Sequence, residues 1–224
     1  MKSLKSLCLW SLLLMGSLTV SAPAVVITQT FSFTGVNLAI PDGSAGGTAD
    51  IQTITPTILF IDSMTVDLNI SGSYNGDLYV YLQHGTGLSI LLNRVGQSAG
   101  LPGGFDNDGF SITLDDAAAS DVHGVDSGGG LLSGAYQPDG RDINPFSVLD
   151  TDARLAPLSV FNGSAPSGDW TLFLADLIGT ESHTLDSWSL TITGDDTAAV
   201  PEPRTALPIL LLAGMLIRRR FTQA

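Results

Sequence analysis

The sequence predicts an all-β protein: a jelly-roll-like β-sandwich, with an N-terminal signal peptide and a short C-terminal hydrophobic helix. Three observations carry this prediction. Apolar residues recur at every second position in five separate segments, and turn-forming residues divide those segments. The long middle of the chain shows no apolar period of 3.6.

The elements follow in order. Lys2 and Lys5 make a basic start, Leu7 to Val20 are mostly apolar, and Ser21-Ala22-Pro23-Ala24 supplies small residues. That order is a secretory signal peptide over 1–24, cut after Ala22 or Ala24. The apolar run is short for a retained span of about 20 residues. Cys8, the only cysteine, lies inside it and leaves with it. The mature chain then has no disulfide, no thiolate nucleophile and no cysteine metal site. About 175 residues can bury a sufficient core without cross-links, and residues 25–194 are read as one sandwich domain.

Within that body Met64, Val66, Leu68 and Ile70 alternate with polar residues. Leu78, Val80 and Leu82 alternate with Tyr79 and Tyr81, and Phe110, Ile112 and Leu114 repeat the pattern. Trp170, Leu172 and Leu174 follow, then Trp188, Leu190 and Ile192. Side chains at i, i+2 and i+4 share one face of a pleated strand, and half-wet strands belong to antiparallel sheets. Asn75-Gly76-Asp77, His84-Gly85-Thr86-Gly87, Asn162-Gly163 and Ser167-Gly168-Asp169 are the turns between them. Asp115 to Ser120 is long enough for one helical turn. The stretch from Ser120 to Ala156 has little periodicity; its length implies a hidden short strand or a cover over the sandwich. Residues 195–199 read as a polar linker, and 200–220 as a separate tail.

Charge narrows the function. Of the 22 acids 21 lie between Val25 and Asp196, against Arg94, Arg141 and Arg154 and no lysine, a net of about −18. Such a surface repels nucleic acid and anionic headgroups and attracts cations. No nucleic-acid partner is expected.

Five stretches in order resemble the P/Homo B domain that follows the catalytic domain of subtilisin-like proprotein convertases. They are Ile40-Pro41-Asp42, Gly76-Asp77-Leu78, Gly134-Ala135-Tyr136-Gln137-Pro138, the Pro157–Gly163 segment running into Gly168–Asp176, and Leu185–Ile192 with its Ser187-Trp188-Ser189-Leu190. Coverage runs from about Leu38 to Gly194. Ser73-Tyr74 depart from a family histidine, the 84–87 turn lacks the usual Ser-Pro, and 127–132 is a glycine-rich insert. The resemblance implies a jelly-roll-like sandwich without catalytic function of its own.

The tail resembles a PEP-CTERM sorting signal: Val200-Pro201-Glu202-Pro203, an apolar run, then Arg218-Arg219-Arg220. That resemblance implies handling by an exosortase, a membrane protease of Gram-negative bacteria often found with exopolysaccharide synthesis. The 13 residues from Thr205 to Ile217 make about 20 Å of helix, short of a hydrocarbon core of about 30 Å. Arginines after it hold the C-terminus in the cytoplasm.

Chemistry is expected to be sparse. His84, His123 and His183 sit in no catalytic motif, and no Gly-x-Ser-x-Gly elbow occurs. Asp115 and Asp116 would face opposite ways on a strand, which suits no paired acid and base. Ca²⁺ is the cofactor the acidic loops would take in a structural role. Asp106-Asn107-Asp108-Gly109 is the nearest to a ligand loop, although an EF-hand fails: its first ligand would be Gly104 and its last Asp115. The domain resemblance adds Asp77, Asp115 and Asp176 near strand ends. Trp170 and Trp188 share parity with apolar neighbours and read as core. Tyr79 and Tyr81 lie on the other parity, as an exposed stripe for ligand contact or as a covered sheet face.

Together these features predict an exported, non-catalytic cell-surface or matrix protein. Its processing partners would be signal peptidase and an exosortase, and its location first the inner membrane, then the envelope or the exterior. The alternatives are an accessory module for a subtilisin-like serine protease acting in trans, and a carbohydrate-binding module in contact with exopolysaccharide.

Overall fold

Residues 25–196 are described by a computed structural model. The signal segment and the sorting tail, including Val200 to Pro203, the apolar run expected as a helix, and Arg218 to Arg220, lie outside the described residues. The body is a β-sandwich of nine strands. They are β1 (Val26–Ile40), β2 (Thr48–Ile54), β3 (Ile58–Gly72), β4 (Leu78–His84), β5 (Gly87–Asn93), β6 (Phe110–Leu114), β7 (Leu132–Tyr136), β8 (Gly168–Asp176) and β9 (His183–Asp196). One sheet has the order β1-β9-β3-β6-β7 and the other β2-β8-β4-β5. The chain crosses between sheets four times along β1-β2-β3-β4 and β5-β6, and twice more along β7-β8-β9, as jelly rolls do. All pairs are antiparallel except β6 with β7.

The five alternating segments each place their apolar parity between the sheets. Val66, Leu68 and Ile70 of β3 meet Leu190, Trp188 and Leu185 of β9 in register, and Val80 and Leu82 of β4 lie beside Leu174 and Leu172 of β8. All are buried. Trp170 is 0% exposed; its ring lies against Phe161 and stacks on His84 at 4.2 Å. The indole N–H groups are both satisfied, that of Trp170 by the Pro166 carbonyl at 2.9 Å and that of Trp188 by Asp50 Oδ2 at 2.7 Å. A buried indole without such a partner would lose a hydrogen bond that water had supplied.

Four strands depart from simple alternation, each for a stated reason. In β1 the register with β9 shifts between Thr34 and Leu38. Gly35 and Asn37 both have positive φ there, which makes a bulge and swaps the inward parity. In β2 the alternation is inverted: Ile51 is 59% exposed while Asp50 turns inward to the Trp188 indole. In β5 Ile90, Leu91 and Leu92 are all buried, because the 137–157 segment covers its outer edge. The bonds are Asp139 N–H to Leu91 O, Gly140 N–H to Ile90 O and Ile90 N–H to Ala156 O, at 2.9 to 3.0 Å. β7 is the short strand hidden in the 120–156 stretch. The β4–β5 turn is a two-residue loop with Gly85 at φ +55°, the sign that favours glycine in a tight hairpin. Asp115 to Ser120 forms no helix; Ala118 N–H closes a single turn onto Asp115 O at 3.0 Å. Asp195 and Asp196, expected in the linker, end β9, with Asp195 opposite Val26.

The outer face of the five-stranded sheet is a field of small hydroxyls. Thr28 and Thr193 hydrogen-bond at 2.8 Å, Thr30 and Thr191 at 2.9 Å. Asp67 accepts from Thr113 at 2.6 Å and from Ser189 at 2.7 Å. Such cross-strand pairs fix register on the wet side of a sheet.

The parity assignment is checked by two substitutions. Trp170→Ala is expected to cost about 3–5 kcal/mol, read as a lower urea midpoint at unchanged slope. Ile51→Ser, on the outward face of β2, is expected to stay within about 0.5 kcal/mol of the parent. Equal losses in the two variants would overturn the assignment.

Candidate binding cleft

Three groups of buried and half-buried polar side chains organise the edge and ends of the sandwich. The first clamps the long loop to the sheet edge. His123 Nδ1 lies 2.7 Å from Asp139 Oδ2, and Nε2 lies 2.9 Å from the Gln97 carbonyl. Both partners are acceptors, so the ring fits best with both N–H groups present. Burial opposes that charge, but the Asp139 carboxylate and the Gln97 carbonyl outweigh it and raise the His123 pKa above its ordinary 6.5. Arg141 Nη1 reaches Asp121 Oδ2 at 2.9 Å and Asp139 Oδ1 at 3.2 Å, and its Nη2 donates to Asp150 O at 2.8 Å. Arg154 donates to the carbonyls of Asp139 and Pro138 at 2.9 and 2.6 Å. The role is structural: these bonds replace a regular edge pairing.

The second group holds the remaining histidines. His84 rests on Trp170, with its two nitrogens each 2.8 Å from a carbonyl oxygen, of Asp169 and Ala165. His183 Nδ1 lies 2.8 Å from Asp176 Oδ2, closing the base of the 177–182 loop between β8 and β9. Its Nε2 is buried without a partner.

The third group lines an open cleft of about 560 Å³ at the His183 end of the sandwich, where β4 begins and β8 ends; His84 lies at the other end of β4. Asp77 and Arg94 form its floor; Tyr74, Pro102, Ile178 and Thr180 form its walls. The local sequence explains the placement. Asn75-Gly76-Asp77, expected as a turn, is a buried 3₁₀ turn directly before β4. Asn75 ties it down by exchanging bonds with Gly109, at 2.9 and 2.7 Å. Gly76 packs so closely that a Cβ would meet the Gly103 carbonyl oxygen at 2.3 Å. Arg94 enters from the end of β5: its Nε donates to Gly76 O at 2.8 Å, and its Nη2 stands 3.8 Å from Asp77 Oδ1.

Two features set this cleft apart. Four non-glycine residues have positive φ among the described residues, and three of them, Tyr74 (67°), Arg94 (51°) and Thr180 (132°), line it. A β-branched residue at such a φ is strained, and strain of this kind gathers at functional sites. Asp77 is the second feature. It is 3% exposed, and among the described residues its carboxylate takes no hydrogen bond. Burial pushes its pKa up from 3.8 to about 6, Asp176 adds to the rise, Arg94 opposes it, and Asp42 and Glu181 raise it further. Asp42 and Glu181 stand at the rim, where they accept from Thr180 N–H at 3.2 Å and from Ser73 Oγ at 2.8 Å.

The residues singled out in the sequence are distributed unevenly. Asp77 and Asp176 come together, Asp176 ending β8 opposite Leu78 of β4. Asp106 and Asp108 are exposed on a loop whose inward residue is Asn107, bonded to Ser127 and Gly129 N–H at 3.2 and 3.1 Å. Asp115 closes its own turn by accepting from Ala117 N–H at 2.8 Å. Asp116 caps the 158–161 turn, accepting from Leu158 and Ser159 N–H at 3.0 and 2.7 Å. The five aspartates expected to share calcium do not converge, and among the described residues no three His, Cys, Asp or Glu side chains are grouped to hold a metal. Tyr79 and Tyr81 are half-buried on the outer face of the four-stranded sheet. Tyr81 stacks on Phe173 at 4.7 Å and meets Tyr79 edge-on at 6.0 Å. Burial, then Asp142 of the covering loop, pushes the Tyr79 pKa to about 12. In the sequence Arg94 stands out only as one of three arginines of the body and Tyr74 only as a departure from a family histidine, and nothing marks Thr180.

These proton affinities set a pH dependence. The folded Asp77 pKa is raised, so its stabilising contribution is complete below about pH 4 and is lost as pH rises through about 6. His123 is also raised, so its contribution is complete below its unfolded pKa of about 6.5 and fades as pH rises through the folded value. Calorimetric Tm is therefore expected to fall from pH 4 through neutrality. Asp77→Asn should flatten the acid part of that fall and His123→Gln the upper part. Variants that track the parent curve throughout would refute both assignments.

No protein-family model matches the chain, and no curated protein matches it. Among solved structures it is similar to a chain in the complex of the Aeromonas sobria serine protease with its chaperone. That similarity has 19% identity over 79% of this chain and 28% of the other, with a TM-score of 0.43. It is also similar to the serine protease of Aeromonas sobria, at 15% identity over 77% of this chain and 27% of the other, with a TM-score of 0.39. This chain spans under a third of the length of either matched chain.

Proposed function

We propose that the protein is an exported, non-catalytic surface or matrix protein whose β-sandwich is a binding module. Signal peptidase removes the N-terminal segment, and an exosortase handles the Val200-Pro201-Glu202-Pro203 tail. The observation that carries the non-catalytic reading is the state of the histidines. His84 and His123 have both nitrogens on carbonyl or carboxylate oxygens, and His183 has one on Asp176 and the other buried. Among the described residues no serine or threonine hydroxyl lies within hydrogen-bond reach of a histidine nitrogen. A nucleophile with an adjacent base is what hydrolytic acyl transfer requires.

A second reading, an accessory module for a subtilisin-like serine protease acting in trans, is favoured by the cleft. Asp42, Asp77 and Asp176, which carry the P/Homo B resemblance, gather around it. An open acidic cleft suits a polypeptide surface better than a neutral exopolysaccharide.

Fractionation of producing cells with intact-mass analysis tests the first reading. The mature mass is expected to begin after Ala22 or Ala24, and the protein to be recovered from the envelope or the medium. An uncut chain in the cytoplasm, or purified protein that hydrolyses peptides unaided, would overturn it.

A further inference from the structure

The geometry points to the Asp77–Arg94 cleft as a receptor for a cationic side chain, lysine or arginine, of a partner polypeptide, with Asp77 Oδ2 as the acceptor. This deepens the binding-module reading and rests on it.

Three observations on independent features support the assignment. The first is the unused acceptor. Arg94 faces Oδ1 from 3.8 Å, too far for a hydrogen bond, and is itself held by the Gly76 carbonyl. Oδ2 has no donor among the described residues, although Asp77 is 97% buried and lines the cleft. A buried carboxylate normally takes several hydrogen bonds; neither Asp77 oxygen is among the fully enclosed side-chain atoms left without a partner, so Oδ2 opens to the cleft and is within reach of a donor from outside. The second is the sign of the field. Asp176, Asp42 and Glu181 all act on Asp77 here, against the single guanidinium of Arg94. His183 sits behind Asp176, bonded to it through Nδ1. Four carboxylates against one fixed cation favour an incoming positive charge, and the acidic body steers it there. The third is the wall chemistry. Tyr74, Pro102 and Ile178 present apolar surface leading down to Asp77, and Ile178 is 39% exposed at the mouth. A long aliphatic stem with a charged tip matches that gradient, with the stem on the walls and the tip on the carboxylate.

The strained backbone fits the same role. Tyr74, Arg94 and Thr180 hold positive φ where the cleft is built, so the walls are set before a ligand arrives and little ordering accompanies binding. A cation on Oδ2 also favours the ionised carboxylate. Binding therefore releases a proton from Asp77, and affinity follows the ionised fraction of that group.

The test is an NMR titration of the full-length ¹⁵N-labelled chain in neutral detergent with acetyl-Gly-Lys-Gly-amide and acetyl-Gly-Arg-Gly-amide. The control peptide carries an acetylated lysine. The expected result is saturable shifts at the Gly103, Gly179 and Thr180 amides with both cationic peptides and none with the control. Affinity should rise about tenfold from pH 5 to pH 7, following a carboxyl pKa of about 6. Asp77→Asn should abolish the shifts. Ile178→Lys, at an exposed position that tolerates change, should abolish them too by placing the chain's own ammonium at the mouth. No shift at these amides, shifts equal in Asp77→Asn, or equal binding of the control peptide would overturn the proposal. Mass analysis of the same samples separates the two readings. Intact, unbound peptide sinks only the cleft assignment, whereas cleaved peptide sinks the non-catalytic reading beneath it.

Discussion

Everything in this domain depends on closing one apolar layer between two sheets without a covalent link. The layer runs from the Met64–Ile70 row of β3 and the Trp188–Ile192 row of β9 to the Leu78–Leu82 row of β4 and the Trp170–Leu174 row of β8. Hydrophobic burial is non-directional, so it does not decide which residue lies opposite which. That choice falls to the polar atoms at the boundary. Asp50 meets the Trp188 indole across the sheets, and Pro166 O meets the Trp170 indole at the edge. On the wet side, threonine pairs hold β1 and β9 in step, and an Asn69 amide donating to Ser187 Oγ does the same for β3 and β9. A slip of one residue would turn every apolar side chain of a strand outward. It would also strand the buried indole donors.

The same need for partners explains where the body's few cations go. Arg94, Arg141 and Arg154 are spent inside or against the fold, on carbonyls and on aspartates that are themselves buried or half-buried. Guanidinium suits this work because its fork serves several carbonyls at once. Two of the three secure the 137–157 segment over β5, whose open edge would otherwise invite pairing with another chain. The consequence is electrostatic. With the arginines turned inward, the solvated surface carries almost only carboxylates.

Much of the sandwich was legible because an antiparallel strand with one wet face writes its fold into its parity. The segments 64–70, 78–82, 110–114, 170–174 and 188–192 all obey that rule. The strands that escaped break it for physical reasons. β5 is covered on both faces, so Ile90-Leu91-Leu92 shows no period. β2 points Asp50 inward and Ile51 outward, because an indole N–H outweighs a methyl group at that spot. β1 loses its phase at the bulge after Thr34. The cleft was legible only in part. Asp77 and Asp176 stand at strand ends, where motif and turn reading finds them. Tyr74, Arg94 and Thr180 join them through positive φ at separate places in the chain, and no spacing rule brings such residues together. The calcium set failed to converge for a related reason: Asp106, Asp108 and Asp115 look like ligands by type, but the turns they occupy direct them to backbone N–H groups or to solvent.

Acidity, folding and cation affinity are one property here. A fold that gathers carboxylates while turning its arginines inward raises the work of ionising any further buried acid. Asp77 shows the result, with desolvation first and neighbouring carboxylates second in lifting its pKa to about 6. The cluster can lower its charge in two ways: by keeping a proton, or by exchanging it for a cation delivered on another molecule. The first stabilises the domain in mild acid, and the second makes the cleft an attractive site near neutrality. Linkage requires the two to compete for the same carboxylate. A residue that costs stability when ionised can therefore be retained, because the same ionised state is the one that binds.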